Sequence, residues 1–421
     1  MDCITNVPAK SRRKSLWSHP DFLKLWTGQT ISELGSRITR EGLPLTAVLV
    51  LGARPAQMGL LAATGAASVL LFGLVAGVWA DRIKRRPILI TADLLRAALL
   101  ATIPAAAFAH RLSMGQLYVV IALAGFCTVF FDVAYQSYLP SLVEREELLD
   151  GNSKLAQSSA IAEIVGPGLT GALVQLITAP IAILFDAISF VVSALSVWLI
   201  RKPEASRQPS GEPRHWSAET IAGLRFVFAH RLLRPLACFS ACGFFCFGFM
   251  GTLYVLYAIR DLRMPPAALG LVIAVGGVGA MLGASFAPST TRMLGVGWTF
   301  IGSMLLVVVS YTLIVLAHGP LPVAISFLVM QQLFGDMGFA IFNVNELALR
   351  QTVAPADVLG RVNGAMQLLT RGIYPLGALV GGALAQNIGI RATLAAAVTG
   401  VALSTVWLIA SPLRKLREIP A

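Results

Sequence analysis

Twelve apolar segments recur along this chain, and they limit its possible folds more than any other feature. Each is long enough to cross the roughly 30 Å hydrocarbon layer of a membrane, which takes about 20 helical residues. Lipid offers a backbone no hydrogen-bond partner, so segments of this length must form helices. Their predicted limits, numbered here as spans 1 to 12, are 22–51, 56–79, 87–109, 114–138, 155–178, 180–200, 232–259, 266–288, 296–318, 321–345, 362–386 and 390–412. The sequence therefore predicts an all-α integral membrane protein.

The distribution of charge indicates how such a chain is oriented. Only 13% of the residues are charged, and the net charge is +12. The basic residues do not form one patch, which argues against a nucleic-acid partner. They cluster on one side of the spans, so the positive-inside rule predicts that both termini face the cytoplasm. The clusters are Lys10, Arg12, Arg13 and Lys14 before span 1; Arg82, Lys84, Arg85 and Arg86 between spans 2 and 3; Arg201, Lys202, Arg207, Arg214, Arg225, Arg231 and Arg234 after span 6; and Arg414, Lys415 and Arg417 after span 12.

The spans divide into two groups of six. Residues 201–231 have the composition of a linker at first and the pattern of a surface helix from Ser217 onward. The predicted units are therefore 1–200, the cytoplasmic linker 201–231, and 232–421. A gapless shift of 211 residues aligns four pairs of glycines: Gly59 with Gly270, Gly65 with Gly276, Gly166 with Gly377, and Gly171 with Gly382. Duplication of a six-helix unit is the expected origin.

The turn between spans 2 and 3 reads GVWADRIKRRP and combines one acid with four basic residues. A simple positive-inside stop signal explains the bases but gives no reason for Asp81. The stretch resembles the loop signature of the major facilitator superfamily, G-x-L-A-D-R-x-G-R-R. The matching residues are Gly77, Ala80, Asp81, Arg82, Arg85 and Arg86, whereas Trp79 and Lys84 depart from the signature.

Two further segments, LPSLVEREELLDGNSKLAQSSAIAEIVGP and FDAISFVVSAL, are similar to the branch that contains bacterial macrolide-efflux and enterobactin-export proteins. The resemblance implies the major facilitator fold, with twelve transmembrane helices in two pseudo-symmetric six-helix bundles of a prokaryotic inner membrane. It also implies that the charged turn is a cytoplasmic latch that holds an outward-open state. In that latch Asp81 meets the start of span 11 near Gly360 and Arg361. Arg82 or Arg85 pairs with Asp132.

Span 5 carries AEIVGPGLTG, which resembles the superfamily's antiporter signature ending in G-P-x-x-G-G. Gly166, Pro167 and Gly171 match, while Ala162 and Thr170 replace glycines. A proline frees a backbone carbonyl and glycines allow close helix crossings, so the segment can bend or seal. Ordinary helix packing explains the same residues equally well.

Ionisable side chains inside spans are costly and suggest function. Span 1 carries Gln29, Glu33, Arg37 and Glu41 at four-residue spacing. Glu33 either carries a coupling proton under the influence of Arg37, or forms a permanent ion pair with it. Asp336 on span 10 has no obvious cation on its own helix and is the second proton candidate, against a simple hydrogen-bonding role. Intramembrane Asp186 is expected to be structural, whereas Glu163 and Arg371 stay unassigned.

The resemblance implies that spans 1, 4, 7 and 10 line a central substrate cavity. The candidates for its lining are Gln29, Gln332, Asn343, Phe245 and Tyr254. The aromatic residues of span 7 either hold a bulky ligand or face lipid.

The expected function is secondary transport by alternating access, and not enzymatic catalysis. No G-x-x-x-x-G-K-[ST] loop is present for ATP, and the scattered histidines have no zinc spacing. We expect no cofactor and no metal, a proton gradient as the energy source, a monomer in the lipid bilayer, and a small-molecule substrate such as a drug, macrolide or siderophore. The alternatives are an importer or lipid flippase of the same fold, and a membrane scaffold or receptor that transports nothing.

Overall fold

The computed structural model describes residues 16–80, 84–202, 216–355 and 358–418. Within them the protein has no strand and fourteen α-helices: α1 Pro20–Leu49, α2 Pro55–Ala80, α3 Arg85–Phe108, α4 Met114–Leu142, α5 Leu148–Leu176, α6 Ala179–Trp198, α7 Trp216–Ala229, α8 Leu233–Leu256, α9 Pro266–Leu294, α10 Val296–Leu316, α11 Leu321–Val353, α12 Leu359–Gln367, α13 Tyr374–Ile388 and α14 Ile390–Ile409.

The helices follow the predicted spans closely. Helices α1, α2 and α9 each begin at a proline. Proline lacks a backbone N–H, but the N–H groups of the first helical turn have no partner within the helix, so nothing is lost there. Helix α5 begins earlier than predicted and α11 ends later. Span 11 is not one continuous α-helix, because a π-turn at Leu368–Gly372 separates α12 from α13.

The chain crosses the membrane many times. Ten of its described helical segments are long and apolar enough to span a bilayer. Helix α2 has 26 residues and no charged side chain. Helix α1 has 30 residues but carries several charges, which are Asp21, Lys24, Glu33, Arg37, Arg40 and Glu41. With these two, twelve membrane helices form an all-α integral membrane protein, as predicted.

The six helices before α7 and the helices after it pack in the same pattern. Helix α1 packs on α5 and α6, and its counterpart α8 packs on α13 and α14. Helices α2 and α4 pair as α9 and α11 do. Small residues allow these approaches, since a Cβ added at Gly28 of α1 would lie 2.8 Å from the Cβ of Ser196 on α6. The surface helix α7 packs on α12.

The two halves are joined mainly at one end of the molecule. We call the end at which α1 begins the N-terminal face, and the opposite end the far face. Near the far face α2 packs on α13, where a Cβ added at Gly59 would lie 3.1 Å from the Cα of Gly382. Helix α5 packs on α9 there, where a Cβ added at Gly270 would lie 3.0 Å from the Cα of Gly171. These four residues are two of the glycine pairs that the 211-residue shift aligns, so the two seals correspond to each other in that alignment.

Hydrogen bonds complete the closure of the far face. Arg260 donates from Nη2 to the carbonyl of Gly52 at 2.7 Å. The backbone N–H of Ala267 donates to Oε1 of Gln175 at 3.2 Å. On the other side of the membrane centre, Asp132 and Arg371 are exposed. The interior between the halves is therefore closed at the far face and accessible from the N-terminal face.

Substituting a seal glycine should open the far face. In Gly59→Val the new side chain would overlap the Ala378 carbonyl and Gly382, an overpacking cost of about 1–3 kcal/mol. That cost shifts the population roughly ten-fold toward an open far face. The measurement is labelling of Leu61→Cys, in a background without native cysteines, by an impermeant maleimide added at the far face. Gly59→Val should increase the extent of this labelling.

Gly302→Val is the matched control, because nothing lies within 4 Å of a Cβ added at that glycine. Equal labelling of the seal variant and this control would contradict the assignment of the seal.

Candidate functional site

A cavity of about 790 Å³ lies between the halves, beneath the closure of the far face. Its walls come from both halves. One wall, from α1, α2 and α4, is largely apolar and consists of Leu43, Pro44, Met58, Leu61, Ala62, Gly65, Ala66 and Ile121, with Arg40 and Glu41 at its edge. The opposite wall, which we call the polar wall, is mixed: it carries the polar and aromatic side chains of Thr252, Tyr254, Tyr311, Gln331, Gln332 and Tyr374 together with the apolar Met250, Val255, Ile273 and Ile314.

The polar wall has hydrogen-bonding capacity to spare. Three of its buried atoms have no hydrogen-bond partner among the described residues: Tyr254 Oη, Thr252 Oγ1 and Gln331 Oε1. Gln331 donates a hydrogen bond from Nε2 to Gln332 Oε1 at 3.2 Å. A buried polar group without a partner costs about 1–3 kcal/mol. A ligand that presents donors and acceptors to this wall would recover that energy.

An ionic cluster joins α1 to α5 beside the cavity. Glu163 of α5 contacts the Arg37 guanidinium directly, and its Oε1 also lies 3.4 Å from Arg40 Nη1. Gly166 makes this possible, because a Cβ there would overlap the Arg37 side chain. Glu33 is a weaker partner, at 3.9 Å from Arg37. The cation predicted to act on Glu33 is therefore held chiefly by Glu163, which the sequence left unassigned.

Asp336 lies on α11 and packs against Gly276 of α9, where an added Cβ would overlap its carboxylate. No described residue donates a hydrogen bond to it. The charges that act on Asp336 come from Glu163 and Arg40 in the other half, and the Asp336 charge acts in turn on Tyr254 and Tyr311 of the polar wall. Asp336 thus connects the ionic cluster electrostatically with the cavity.

The predicted cavity residues are placed unequally. Gln332 and Tyr254 line the cavity. Gln29 is buried toward α6, where its Nε2 donates to Ser193 Oγ at 3.3 Å. Phe245 packs its ring on Phe249 at 5.3 Å, and Asn343 is exposed outside this lining. Gln29 and Asn343 lie on the same helices as the lining residues Arg40 and Gln332, but about 16 Å away along the helix axis, which places them at another depth.

The predicted latch residues are only partly described. Asp81 and Arg82 lie outside the described residues, and Gly77 lies near the end of α2. Arg86 donates from Nη2 to the carbonyl of Trp198, and the carbonyl of Arg361 packs on Gly223 of α7.

Asp132 lies on α4, ten residues before that helix ends at Leu142. Here the charges that act on Asp132 are those of Arg96, Glu33 and Arg371. The latch of an outward-open state stays a prediction, since this structure is closed at the opposite end.

Sequence reasoning missed a buried ion pair in α3. Asp93 and Arg96 contact each other directly and are 0% and 5% exposed. The Arg96 guanidinium stacks over the rings of Phe131 and Phe190, at 4.4 and 4.1 Å from their centroids. The signal that could have revealed this pair is the i, i+3 spacing of Asp93 and Arg96, two opposite charges inside an apolar span. Asp186 accepts a hydrogen bond from Ser189 Oγ at 3.0 Å, in line with a structural role.

Comparison with known proteins matches this chain to one family of membrane transporters. A family model of the Major Facilitator Superfamily matches residues 25–374. The Multidrug efflux pump Tap of Mycolicibacterium fortuitum is 28% identical, over 86% of this chain and 88% of that protein. Macrolide efflux protein A of Streptococcus pyogenes is 22% identical, over 88% of this chain and 90% of that protein.

Solved structures share the fold. A bacterial homologue of the iron transporter ferroportin, in an inward-facing state, superposes with a TM-score of 0.73 at 19% identity, over 93% of this chain and 98% of that chain. The outward-facing state of a bacterial ferroportin homologue gives a TM-score of 0.55 at the same identity and coverage. The larger score belongs to the inward-facing state.

The geometry of the ionic cluster predicts which acid of α1 and α5 is structural. Glu163→Gln leaves Arg37, whose side chain is 17% exposed, without its direct carboxylate partner. Because Glu163 is 46% exposed, the expected loss is modest, about 1 kcal/mol of unfolding free energy. Glu33→Gln should cost less, since its carboxylate lies 3.9 Å from Arg37. Thermal unfolding in detergent compares the two isosteric variants, and a larger loss in Glu33→Gln would contradict this assignment.

Proposed function

The chain belongs to the Major Facilitator Superfamily, and we propose that this transporter exports a moderately large, largely apolar compound in exchange for protons. The substrate class is that of a drug, a macrolide or a siderophore. The observation that carries the proposal is the cavity between the halves, about 790 Å³ in volume, with one apolar wall and one hydrogen-bonding wall. The two multidrug and macrolide efflux relatives support the same class of substrate.

The direction of transport depends on the orientation in the membrane. Basic residues of the described chain lie predominantly at the N-terminal face, for example Lys84, Arg231 and Arg414. By the positive-inside rule we place that face in the cytoplasm of a prokaryotic cell, with both termini on the same side. The cavity then opens to the cytoplasm in this structure, which is the state in which an exporter loads.

Alternating access follows from the paired seals. Breaking the Gly59–Gly382 and Gly171–Gly270 contacts together would open the far face as the halves rock about the cavity. Because the two contacts are equivalent under the duplication, one rigid rotation releases both. The substrate would then leave on the far side.

Proton coupling is assigned to Asp336, with Glu33 as the second carrier. Protonating Asp336 removes a negative charge that faces Glu163 and Arg40 across the interface between the halves. Protonation relieves the repulsion between Asp336 and Glu163 and removes the weaker attraction to Arg40, so proton binding and the position of the halves are linked. Arg37 acts as the positioning cation of the cluster.

Asp336→Asn should abolish proton-driven export. The amide matches the carboxylate in shape but cannot take up and release a proton, so transport should fall at least ten-fold while the protein still folds. The measurement is efflux of fluorescent cations, macrolides and siderophores from cells with and without a protonophore. Asp150→Asn is the control, because that side chain is 58% exposed and pairs with Lys154.

Protonophore-sensitive efflux that survives in Asp336→Asn would refute the coupling role. Inward movement of the same compounds, in vesicles of known orientation, would favour an importer or a flippase. No movement of any compound, with the protein present in the membrane, would favour a scaffold or a receptor.

The two walls should contribute differently to substrate selection. Gln331→Met and Tyr254→Phe remove polar groups whose atoms Oε1 and Oη lack partners, at nearly constant volume. Each lost hydrogen bond to substrate costs about 0.5–1.5 kcal/mol, so the KM of polar substrates should rise roughly three- to ten-fold. Leu61→Ala, on the apolar wall, should instead weaken the binding of bulky substrates regardless of their polar groups. Identical selectivity profiles for the two kinds of variant would contradict a two-sided cavity.

A further inference from the structure

A second cavity lies at the N-terminal face of the C-terminal half, away from the transport cavity. Its volume is about 910 Å³. It is formed by the end of α9, the start of α10 and the segment that follows α14. Its lining is Thr291, Arg292, Met293, Leu294, Gly295, Val296, Trp298, Arg414, Lys415, Leu416, Arg417 and Glu418.

The segment after α14 is fixed in place by the backbone. Its short 3₁₀ turn, Pro412–Lys415, is capped by Ser411 Oγ, which accepts from the N–H of Leu413 at 3.2 Å. The N–H groups of Val296 and Gly297 donate to the carbonyls of Arg417 and Leu416, at 3.2 and 2.9 Å. These bonds hold the segment across the start of α10.

Glycines make this docking possible. Gly295 has a φ of +79°, a left-handed conformation that side chains disfavour. A Cβ added at Gly297 would lie 2.8 Å from the Cα of Arg414. The close approach therefore requires glycine at the α9–α10 turn.

Docking concentrates positive charge. It brings Arg414, Lys415 and Arg417 beside Arg292 of α9, with Glu418 as the one carboxylate in the lining. None of these four cations forms an ion pair with another described residue. Arg292 donates a hydrogen bond from Nη2 to Ser289 Oγ at 3.3 Å. Like charges gathered in this way repel, so the cavity is complementary to an anion.

The rim of the cavity marks its depth in the membrane. Met293 and Leu294 expose large apolar side chains, at 83% and 56%. Trp298 is 59% exposed, and tryptophan is typical of the level of lipid headgroups. Cations thus lie immediately beside apolar side chains that face acyl chains.

We propose that this cavity binds the headgroup of an anionic phospholipid in the leaflet at the N-terminal face. The phosphate would lie among Arg292, Arg414, Lys415 and Arg417, and the acyl chains would lie along Met293, Leu294 and Trp298. A free phosphate ion carries the same negatively charged oxygens as a phospholipid headgroup. The apolar rim that faces lipid favours the phospholipid. The site needs neither proton coupling nor export, so it stands independently of the proposed function.

The internal duplication gives this site a counterpart. The 211-residue shift aligns Arg292 with Asp81. In the first half a basic cluster follows Asp81 directly in the sequence, whereas in the second half no such cluster follows Arg292. In the second half, the segment after α14 supplies the missing cations in space. Both halves therefore carry basic groups at corresponding turns of the N-terminal face.

The test is lipid binding to the full-length purified protein in detergent. Phosphatidylglycerol should bind and raise the melting temperature, whereas phosphatidylcholine and millimolar inorganic phosphate should not. In the double variant Arg414→Gln/Lys415→Gln the affinity for phosphatidylglycerol should fall about 30-fold. This corresponds to a loss of about 1 kcal/mol of electrostatic attraction for each of the two cations removed. Arg231→Gln/Arg234→Gln is the matched control, which removes the same charge from the same face and should retain wild-type affinity.

The salt dependence gives a second readout that does not depend on the melting temperature. Binding to the wild type should weaken more steeply with ionic strength than binding to the Arg414/Lys415 variant. An equal loss in the control variant would overturn the proposal, because binding would then reflect the charge of the whole face. Equal stabilisation by inorganic phosphate would overturn the assignment to lipid. Asp336→Asn should keep normal lipid binding, so failure of the transport proposal is distinguishable from failure of this one.

Discussion

Close contact between glycine backbones at the far face is the constraint on which the rest of this structure depends. Gly59 meets Gly382, and Gly171 meets Gly270, at distances that leave no room for a side chain. In a membrane, helices gain little from hydrophobic burial, so close van der Waals packing of small residues joins them. These contacts close one end of the molecule, leave the cavity beneath them, and keep the interior accessible from the N-terminal face.

Charges inside the bilayer gather where the halves meet. Glu163 holds Arg37 and Arg40 beside the cavity, and Asp336 approaches the same cluster from the other half. Grouping opposite charges lowers the cost of burying each one. It also means that a change of charge at Asp336 is felt on both sides of the interface. In the proposed exporter, this cluster would link protonation of Asp336 with movement of the halves.

Two features of this chain bear on what it binds. One cavity wall is apolar and the other carries tyrosines and glutamines with free hydrogen-bonding capacity. At the N-terminal face, the segment after α14 brings three cations to the turn between α9 and α10. The first feature is the basis of the proposed substrate selection, and the second is the basis of the proposed lipid site.

The sequence by itself determined the twelve spans and the superfamily, because hydropathy and the loop motif are properties of short stretches of chain. It also identified Asp336, Gln332 and Tyr254 as candidates, since a polar residue in an apolar span stands out. Only the tertiary structure decided that Glu163 holds Arg37, that Gln29 turns toward α6, and that the segment after α14 meets Arg292. Those contacts join residues far apart in the chain, and they depend on the rotation and register of whole helices, which no local pattern specifies.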